Sequence, residues 1–276
     1  MADRAATSGP LLLVGCGKMG GALLGGWLEQ GIAADQITVV EPAQDAERSA
    51  VPPGVTVLAD GADLAAAFAP AVVIFAVKPQ VMAEVVPLYA RFVASGAVFL
   101  SIAAGTPIRF FEDNLGAGAA VVRVMPNTPA AVRRGMSVLC ANGHADAGQR
   151  ELCGGLMAAV GDTAWLADED LMDAVTAVSG SGPAYVFHLI ECLAQAGVEV
   201  GLEPELSARL ALQTVAGSGE LARLSDDDAA QLRINVSSPG GTTLAALEVL
   251  MADGGLQTLM TAAVRAAEKR GRELGA

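Results

Sequence analysis

Aromatic and basic residues are scarce in this chain of 276 residues. Phe, Trp and Tyr together make up 4%, and 17 Lys and Arg stand against 30 Asp and Glu, which gives a net charge of −13. Such a surface repels a phosphate backbone, so we expect no nucleic-acid partner. With 53% hydrophobic residues and few aromatic ones, the core must be built from Ala, Val and Leu, which is typical of α/β units and close-packed helices.

Cysteine and histidine are also few, and no long apolar run is present. The four cysteines lie far apart without a C-x-x-C pair, so we expect reduced thiols and no metal site: Cys16, Cys140, Cys153 and Cys192. The apolar run Leu11–Val14 is too short for a signal peptide, and no run is long enough to cross a membrane. We therefore expect a soluble cytoplasmic protein without membrane contact, with residues 1–9 as a loose leader.

The first part of the chain alternates short apolar runs with Ala-rich helical stretches. This rhythm predicts an α/β fold, an N-terminal Rossmann-type doubly wound parallel sheet over residues 1–166, with Gly20–Gln30 as its first helix. The predicted strands are Leu11–Val14, Ile37–Glu41, Val72–Val77, Ala97–Ile102, Ala120–Met125, Met136–Ala141 and Thr163–Leu166.

Residues 167–276 contain no convincing strand, so we predict an all-helical C-terminal domain for dimerisation and substrate binding. Its predicted helices are Leu171–Val178, Ala184–Val200, Glu205–Leu224, Ala229–Val236, Leu244–Met251 and Leu256–Leu274. Ala184–Val200 is apolar on nearly all sides, which indicates that other helices enclose it. We expect a homodimer with contacts through this half of the chain.

A glycine motif follows the first strand: Gly15-Cys16-Gly17-Lys18-Met19-Gly20. Between a strand and a helix, this spacing is typical of a loop that binds a dinucleotide pyrophosphate. Glu41 ends the next strand, where a carboxylate accepts the ribose 2′-hydroxyl of NAD and repels a 2′-phosphate; alternatively it is only a solvated strand end. Arg48 is the nearby cation, so the choice between NADPH and NADH stays open.

Two further strand ends would line the same crevice, because ligands of such sheets bind at the carboxyl ends of the strands. They are Ala76-Val77-Lys78-Pro79 and Ala103-Ala104-Gly105. Lys78 could meet the cofactor or be a surface charge. Asn127, between two prolines, could orient a ligand or only form a turn.

A second anion site is predicted far downstream, in the segment Asn235–Thr243 before a helical run. Unpaired N–H groups at a helix start bind an anion without a cationic side chain, and Gly240 and Gly241 let a ligand approach the backbone. An ordinary helix capped by Ser237 or Ser238 is the alternative. This site suits a small carboxylate.

Groups that could act as a general base are rare in the C-terminal half. His188 lies in an apolar helix and is expected to be a core imidazole, and Lys269 is expected to face solvent. A protonated C=N substrate removes the difficulty, because it accepts hydride without an acid of unusual pKa. Thr242 or Thr243 could supply the hydrogen bond near the nitrogen.

With these residues, the chain resembles pyrroline-5-carboxylate reductase over essentially its full length. The most specific part is Val236–Thr243 with Ala246-Leu247-Glu248 behind it. Three further stretches are also similar: Ala174–Tyr185, Ala76–Pro79 and Arg123–Thr128.

The resemblance implies reduction of L-1-pyrroline-5-carboxylate to L-proline with NADPH or NADH. It implies that the substrate carboxylate is held by Ser238, Gly240, Gly241, Thr242 and Thr243, with the Thr243 hydroxyl as the catalytic contact to the ring nitrogen. Gly15–Gly20 would hold the pyrophosphate. Lys78, Pro79, Ala103, Ala104 and Gly105 would lie by the nicotinamide half. It also implies interlocked dimers that associate further. Glu41 departs from the pocket of members that prefer NADPH.

Two other functions compete with this one. A 3-hydroxyacid dehydrogenase needs a Lys one turn after its glycine-rich helix start, but Gly182 is followed by Pro183–His188 without one. A non-catalytic dinucleotide sensor would explain the glycine loop and leave Ser237–Thr243 without a role.

Overall fold

The computed structural model describes residues 9–42 and 51–275, and its centre is a sheet of eight strands. The strands are β1 (Leu11–Val14), β2 (Ile37–Val40), β3 (Thr56–Leu58), β4 (Val72–Phe75), β5 (Val98–Ser101), β6 (Ala120–Met125), β7 (Gly135–Ala141) and β8 (Gly161–Trp165). Their order across the sheet is β3-β2-β1-β4-β5-β6-β7-β8. The chain winds outward from β1 in both directions, which confirms the predicted Rossmann-type architecture.

All neighbouring strands are parallel except one pair. β6 and β7 run antiparallel, with Arg123 opposite Cys140, so the sheet departs from the predicted parallel arrangement at this one pair. The connection between them holds only the 3-10 turn Thr128–Val132. A parallel crossover needs a dozen or more residues, usually with a helix, and this connection is too short for one. β8 then pairs parallel to β7, after a longer connection that contains a helix.

Each face of the sheet is covered by its own set of helices. On one face lie α1 (Lys18–Glu29) and α4 (Ala147–Ala158), with Trp27 fully buried and its indole Nε1 donating to the Leu156 carbonyl at 2.9 Å. On the other face lie α2 (Met82–Val85), the 3-10 segment Val86–Phe92 and α3 (Ile108–Leu115).

The few aromatic residues are concentrated on that second face. The Phe75 ring lies 5.7 Å from Tyr89, 6.3 Å from Phe99 and 5.8 Å from Phe111, measured between centroids. Burial raises the pKa of Tyr89 to about 12. The core is thus not uniformly aliphatic, because a few rings fill one side of the sheet where each buries a large area.

The remainder of the chain is helical, as predicted. It contains α5 (Met172–Val175), a π-helical turn (Thr176–Gly180), α6 (Gly182–Glu199), α7 (Pro204–Leu224), α8 (Ala229–Asn235), α9 (Thr242–Leu250) and α10 (Leu256–Gly275). The predicted helix Leu171–Val178 is wrong in detail, because its span is divided among a 3-10 turn, α5 and the π-helical turn. None of the helices within the described ranges has the length and apolarity to cross a membrane.

The chain divides into two compact units. One contains Met1–Gly180 together with Glu268–Ala276, and the other contains Ser181–Ala267. The π-helical turn belongs to the first unit, since Asn127 Nδ2 donates to the Ser179 carbonyl at 3.1 Å. The predicted domain boundary between residues 166 and 167 stays a prediction.

The helix α6 is not enclosed by its own chain. No residue of α6 is buried, and its contact with α7 includes a hydrogen bond from the Ser207 hydroxyl to the Ala194 carbonyl at 2.6 Å. The side chain of His188 is 75% exposed in the single chain, so the protein's own fold does not make it a core imidazole. Because most of its neighbours in the sequence are apolar, nothing in the sequence indicated that one side of this helix is polar.

A glycine at the start of β8 makes the fold sensitive to a single methyl group. Gly161 has a φ of +154°, and a Cβ there would overlap the backbone of Gly135 on the paired strand. We expect Gly161→Ala to lower the free energy of unfolding by at least about 2 kcal/mol. Chemical denaturation measures this. Gly118→Ala is the control, since a Cβ at Gly118 meets no atom within 4 Å; equal stability of the two variants would contradict the packing described.

Candidate functional site

The glycine loop after β1 is shaped by two close backbone approaches. Gly15 has a φ of +90°, and a Cβ there would lie 2.7 Å from Val77 Cγ1 and 2.9 Å from the Ala76 carbonyl oxygen. A Cβ at Gly20 would lie 2.5 Å from the Gly15 carbonyl oxygen. The first and third glycines of the motif therefore fit the loop tightly against the end of β4 and the start of α1.

The second glycine of the motif faces open space. Gly17 is the N-cap of α1 without a capping side chain, and no atom lies within 4 Å of a Cβ built on it. The backbone N–H groups of the first helical turn, which includes Lys18 and Met19, have no acceptor within the helix. Together with the helix dipole, they form a cradle that fits a pyrophosphate.

The predicted strand ends do meet at one edge of the sheet. Val14, Phe75 and Ser101 are aligned across β1, β4 and β5. The alignment continues past the strands, because the Ala76 N–H donates to the Val14 carbonyl at 2.8 Å and the Ile102 N–H to the Phe75 carbonyl at 3.2 Å. This edge therefore brings together three predicted groups: Gly15–Gly20, Ala76–Pro79 and Ala103–Gly105. Lys78 is exposed on it, and Ala103 is buried.

Glu41 is bonded to the glycine loop. Glu41 is only 6% exposed, and its Oε2 accepts a hydrogen bond from the Cys16 N–H at 2.7 Å. The alternative of a solvated strand end is therefore wrong. The contact arises because β1 and β2 are neighbours in register, so that the residues following Val14 and Val40 lie side by side. Arg48, the predicted nearby cation, lies outside the described residues.

The polar atoms of Asn127 are bonded within the protein. Its Nδ2 donates to the carbonyl and hydroxyl oxygens of Ser179 at 3.1 and 3.3 Å, and its Oδ1 accepts the Met136 N–H at 2.8 Å. Asn127 thus connects the end of β6 to the π-helical turn. Sequence reasoning missed Ser179 as its partner, because the two residues are distant in the chain and no periodicity links them.

The second predicted anion site lies between α8 and α9. The Ser237 hydroxyl donates to the Arg233 carbonyl at 2.7 Å, so it serves the preceding helix. Gly240 has a φ of +70°, and the Gly241 N–H donates to the Ser238 carbonyl at 3.0 Å.

The first residue before α9 is Gly241, and no side chain caps the helix. The alternative of an ordinary Ser-capped helix is therefore wrong. The N–H groups of the first turn, including those of Thr242 and Thr243, have no intrahelical acceptor and lie beside two glycines. Ser238 and Thr242 are exposed and Thr243 is half-buried. This turn fits a carboxylate.

Histidine and lysine are absent from the buried charged groups of the described ranges, which are Glu41 and Arg123. Arg123 is paired with Glu169 at 2.7 Å. Lys269 and His144 are exposed, as is His188. The described residues thus offer helix-start amides and hydroxyls as the functional groups of the second site, and no buried imidazole or amine.

Two family models match the chain. Residues 169–274 match one described as pyrroline-5-carboxylate reductase dimerisation, and residues 11–105 match one described as NADP oxidoreductase, coenzyme F420-dependent.

Named relatives cover nearly the whole chain. A pyrroline-5-carboxylate reductase of Pseudomonas aeruginosa is 43% identical over 265 residues, which is 96% of each chain. The structure of a pyrroline-5-carboxylate reductase of Coxiella burnetii has a TM-score of 0.92 at 33% identity and covers 98% of this chain and 100% of that one. A Plasmodium falciparum pyrroline carboxylate reductase with NADP bound has a TM-score of 0.80 at 30% identity, with coverage of 98% and 99%.

Proposed function

The chain belongs to the pyrroline-5-carboxylate reductase family, and from this premise we propose that it reduces L-1-pyrroline-5-carboxylate to L-proline with NAD(P)H, the final step of proline biosynthesis. The observation that carries the proposal is the start of α9, a helix whose N-terminus has two glycines and no side-chain cap. Such a terminus accepts a small carboxylate, as the imine acid has.

The cofactor site that we propose is the edge of the sheet around Gly17. The N-terminus of α1 would hold the pyrophosphate, where a Cβ at Gly17 meets open space. The loops Ala76–Pro79 and Ala103–Gly105 would lie by the nicotinamide half, because they follow strands next to β1. The family match and the NADP-bound relative favour NADPH. Glu41 makes NADH a second cofactor, since its carboxylate accepts a ribose hydroxyl and repels a 2′-phosphate.

The substrate carboxylate would bind the amides of Thr242 and Thr243, because the Gly241 N–H already donates to the Ser238 carbonyl. The Ser238 and Thr242 hydroxyls would be further donors. The Gly240 turn leaves room for it, since nothing lies within 4 Å of a Cβ at that position. The Thr243 hydroxyl would bond the ring nitrogen.

The proposed reaction requires no acid–base catalysis from a side chain. NAD(P)H, when bound, supplies a hydride to the carbon of the C=N bond. The ring nitrogen of the iminium form already carries its proton, so no side chain needs to donate one. The amides of α9 hold the ring by its carboxylate, and Thr243 fixes the orientation of the nitrogen. The rate advantage comes from this positioning.

We propose that the helical unit forms a homodimer, with larger assemblies built from dimers, in the cytoplasm. Support comes from the dimerisation model that matches residues 169–274 and from exposed apolar side chains on α6, among them Leu189 and Leu193, with 47% and 43% exposure. Apolar side chains that are exposed to this extent are typical of a surface that a second copy of the chain covers. The four cysteines are free thiols, as in proteins of a reducing compartment.

Steady-state turnover tests the activity. The purified protein should oxidise NAD(P)H in the presence of the imine acid and form proline. It should neither reduce NAD(P)+ with 3-hydroxy acids nor oxidise NAD(P)H with the corresponding oxo acids. Turnover with the hydroxy-acid pair would favour the dehydrogenase. Cofactor binding without any turnover would favour a sensor.

Thr243 is the first side chain to test. We expect Thr243→Ala to lower kcat/KM for the imine acid by about ten- to a hundredfold, because one or two directed hydrogen bonds are lost. Thr243→Ser keeps a hydroxyl and should restore most of the loss. The control is Thr258→Ala, an exposed threonine in the first turn of α10. A kcat/KM for Thr243→Ala equal to that of the control would remove Thr243 from the mechanism.

A further inference from the structure

One side of α6 carries a cluster of three functional groups: His188, Glu191 and Cys192. The His188 Nδ1 lies 2.9 Å from Glu191 Oε2, and the His188 Nε2 lies 3.5 Å from Cys192 Sγ. The side chains of His188 and Glu191 are both 75% exposed, and Cys192 is the exposed cysteine among the four. This cluster has no part in the reduction proposed above.

The spacing of the nitrogen and the sulfur matches that of two ligands on one metal ion. A tetrahedral Zn²⁺ holds an imidazole nitrogen at about 2.0 Å and a thiolate sulfur at about 2.3 Å. With an angle of about 109° between them, these bonds place the nitrogen and sulfur ~3.5 Å apart. The His188 Nε2 and Cys192 Sγ lie 3.5 Å apart, which equals that separation.

Glu191 completes the arrangement from the other side of the imidazole ring. A carboxylate that accepts the Nδ1–H fixes the tautomer in which Nε2 carries the lone pair. In metal sites this carboxylate–histidine pair is the usual support of a histidine ligand. Here the supported nitrogen is the one that faces the sulfur.

We propose that His188 and Cys192 form a two-ligand site for a thiophilic divalent cation such as Zn²⁺, with Glu191 orienting the histidine. Binding replaces the proton of the Cys192 thiol, which is released to solvent, and no group is oxidised or reduced. Water would fill the remaining positions, since no set of three or more His, Cys, Asp or Glu suited to a metal occurs in residues 9–42 and 51–275.

The expectation of no metal site rested on the absence of paired cysteines. A histidine and a cysteine four residues apart on a helix escape that criterion, because they lie on the same side of the helix only once it is formed.

The site lies on a polar side of α6. His188, Cys192 and Glu199 repeat at helical spacing and line an open groove together with Glu191, Gln195 and Ala196. With a turn of about 100° per residue, this side points roughly 100° away from that of Leu189 and Leu193. The side that contacts α7, around Ala194, points in a third direction. The proposal therefore places the dimer contact on the apolar side of α6 and the cation on the polar side.

The other three thiols do not compete for the cation. Cys16, Cys140 and Cys153 are buried. Burial raises the pKa of Cys153 to about 12 and also raises the pKa of Cys140, so both remain protonated at neutral pH.

Titration of the purified, reduced full-length protein with Cd²⁺ alone tests the proposal. We expect a thiolate-to-cadmium charge-transfer band that saturates at one ion per chain, and Zn²⁺ bound in competition with a chromophoric chelator. Cys192→Ser should abolish the band, and His188→Gln should raise the Kd at least about tenfold, because one of two ligands is lost. Glu191→Gln should raise the Kd about tenfold through the orientation of the histidine.

Gln195→Ala, on the same side of α6, is the matched control and should bind Cd²⁺ like the unchanged protein. All of these side chains are exposed, and thermal unfolding of each variant confirms that it is folded. A band that persists in Cys192→Ser, a Kd for His188→Gln equal to that of the control, or no saturable binding by the unchanged protein would overturn the proposal. Because the readout is metal binding, the result is independent of whether the imine acid is the substrate.

Discussion

Gly17→Val should raise the Kd for NAD(P)H by a hundredfold or more while leaving the protein folded. A Cβ at Gly17 meets no atom within 4 Å, so the protein itself accommodates the side chain. The space that the valine would fill is the one in front of the first turn of α1, where the pyrophosphate would lie. Losing several amide contacts to an anion costs about 3 kcal/mol or more of binding free energy, which corresponds to the hundredfold rise in Kd.

The measurement is cofactor titration followed by nucleotide fluorescence, together with a melting curve. Gly118→Val serves as the control, because a Cβ at this exposed glycine also meets open space. Unaltered cofactor affinity in Gly17→Val would mean that the pyrophosphate binds elsewhere. A lost fold would mean that the loop is packed differently from the structure described here.

Gly241→Val should raise the KM for the imine acid by a hundredfold or more and leave the Kd for NAD(P)H within about threefold. Gly241 is the N-cap of α9, and a Cβ there would lie 3.0 Å from the Ser238 carbonyl oxygen. Because Gly241 directly precedes the first turn of α9, we expect the branched side chain of valine to crowd the amides that are proposed to hold the carboxylate. The cofactor loops belong to the other compact unit of the chain and should keep their affinity.

The matched control is Ala245→Val, which places the same side chain at an exposed position one turn further along α9. It should change the KM for the imine acid by less than about threefold, because a surface valine in a short helix alters little beyond its propensity. If Gly241→Val weakened cofactor and substrate equally, the two ligands would not occupy two separate sites, and the proposal would need to be abandoned.

The sheet was predictable where apolar runs are long enough to mark buried strands. β1 and β6 have the predicted residues, and β2, β4 and β5 differ from the prediction by one or two residues at their ends. Thr56–Leu58 was missed because three residues, partly exposed at the edge of the sheet, produce no pattern. The antiparallel direction of β7 was missed because a strand pattern carries no direction, and only the short connection from β6 decides it.

The site was predictable in its backbone and less so in its side chains. Glycine spacing after a strand, and glycines before a helix, indicate where backbone N–H groups are available, so Gly17 and Gly241 were found from the sequence alone. The bond from the Cys16 N–H to Glu41 depends on the register of β1 and β2, which the sequence does not encode locally. The exposure of His188 depends on which side of α6 its own chain covers.

The negative net charge of the protein does not prevent it from binding negatively charged ligands. A net charge of −13 sets the field at long range, whereas the partial charges of helix-start amides act over a few ångströms. Both candidate sites are built from such amides at helix N-termini that are preceded by glycine. An acidic surface is thus compatible with an anionic cofactor and an anionic substrate.

The most direct test of the account is a crystal structure of the protein with L-proline and the oxidised cofactor. We expect the proline carboxylate to accept hydrogen bonds from the backbone N–H groups of Thr242 and Thr243, and the ring nitrogen to lie within hydrogen-bonding distance of the Thr243 hydroxyl. Proline bound away from the start of α9, with those N–H groups facing solvent, would contradict it.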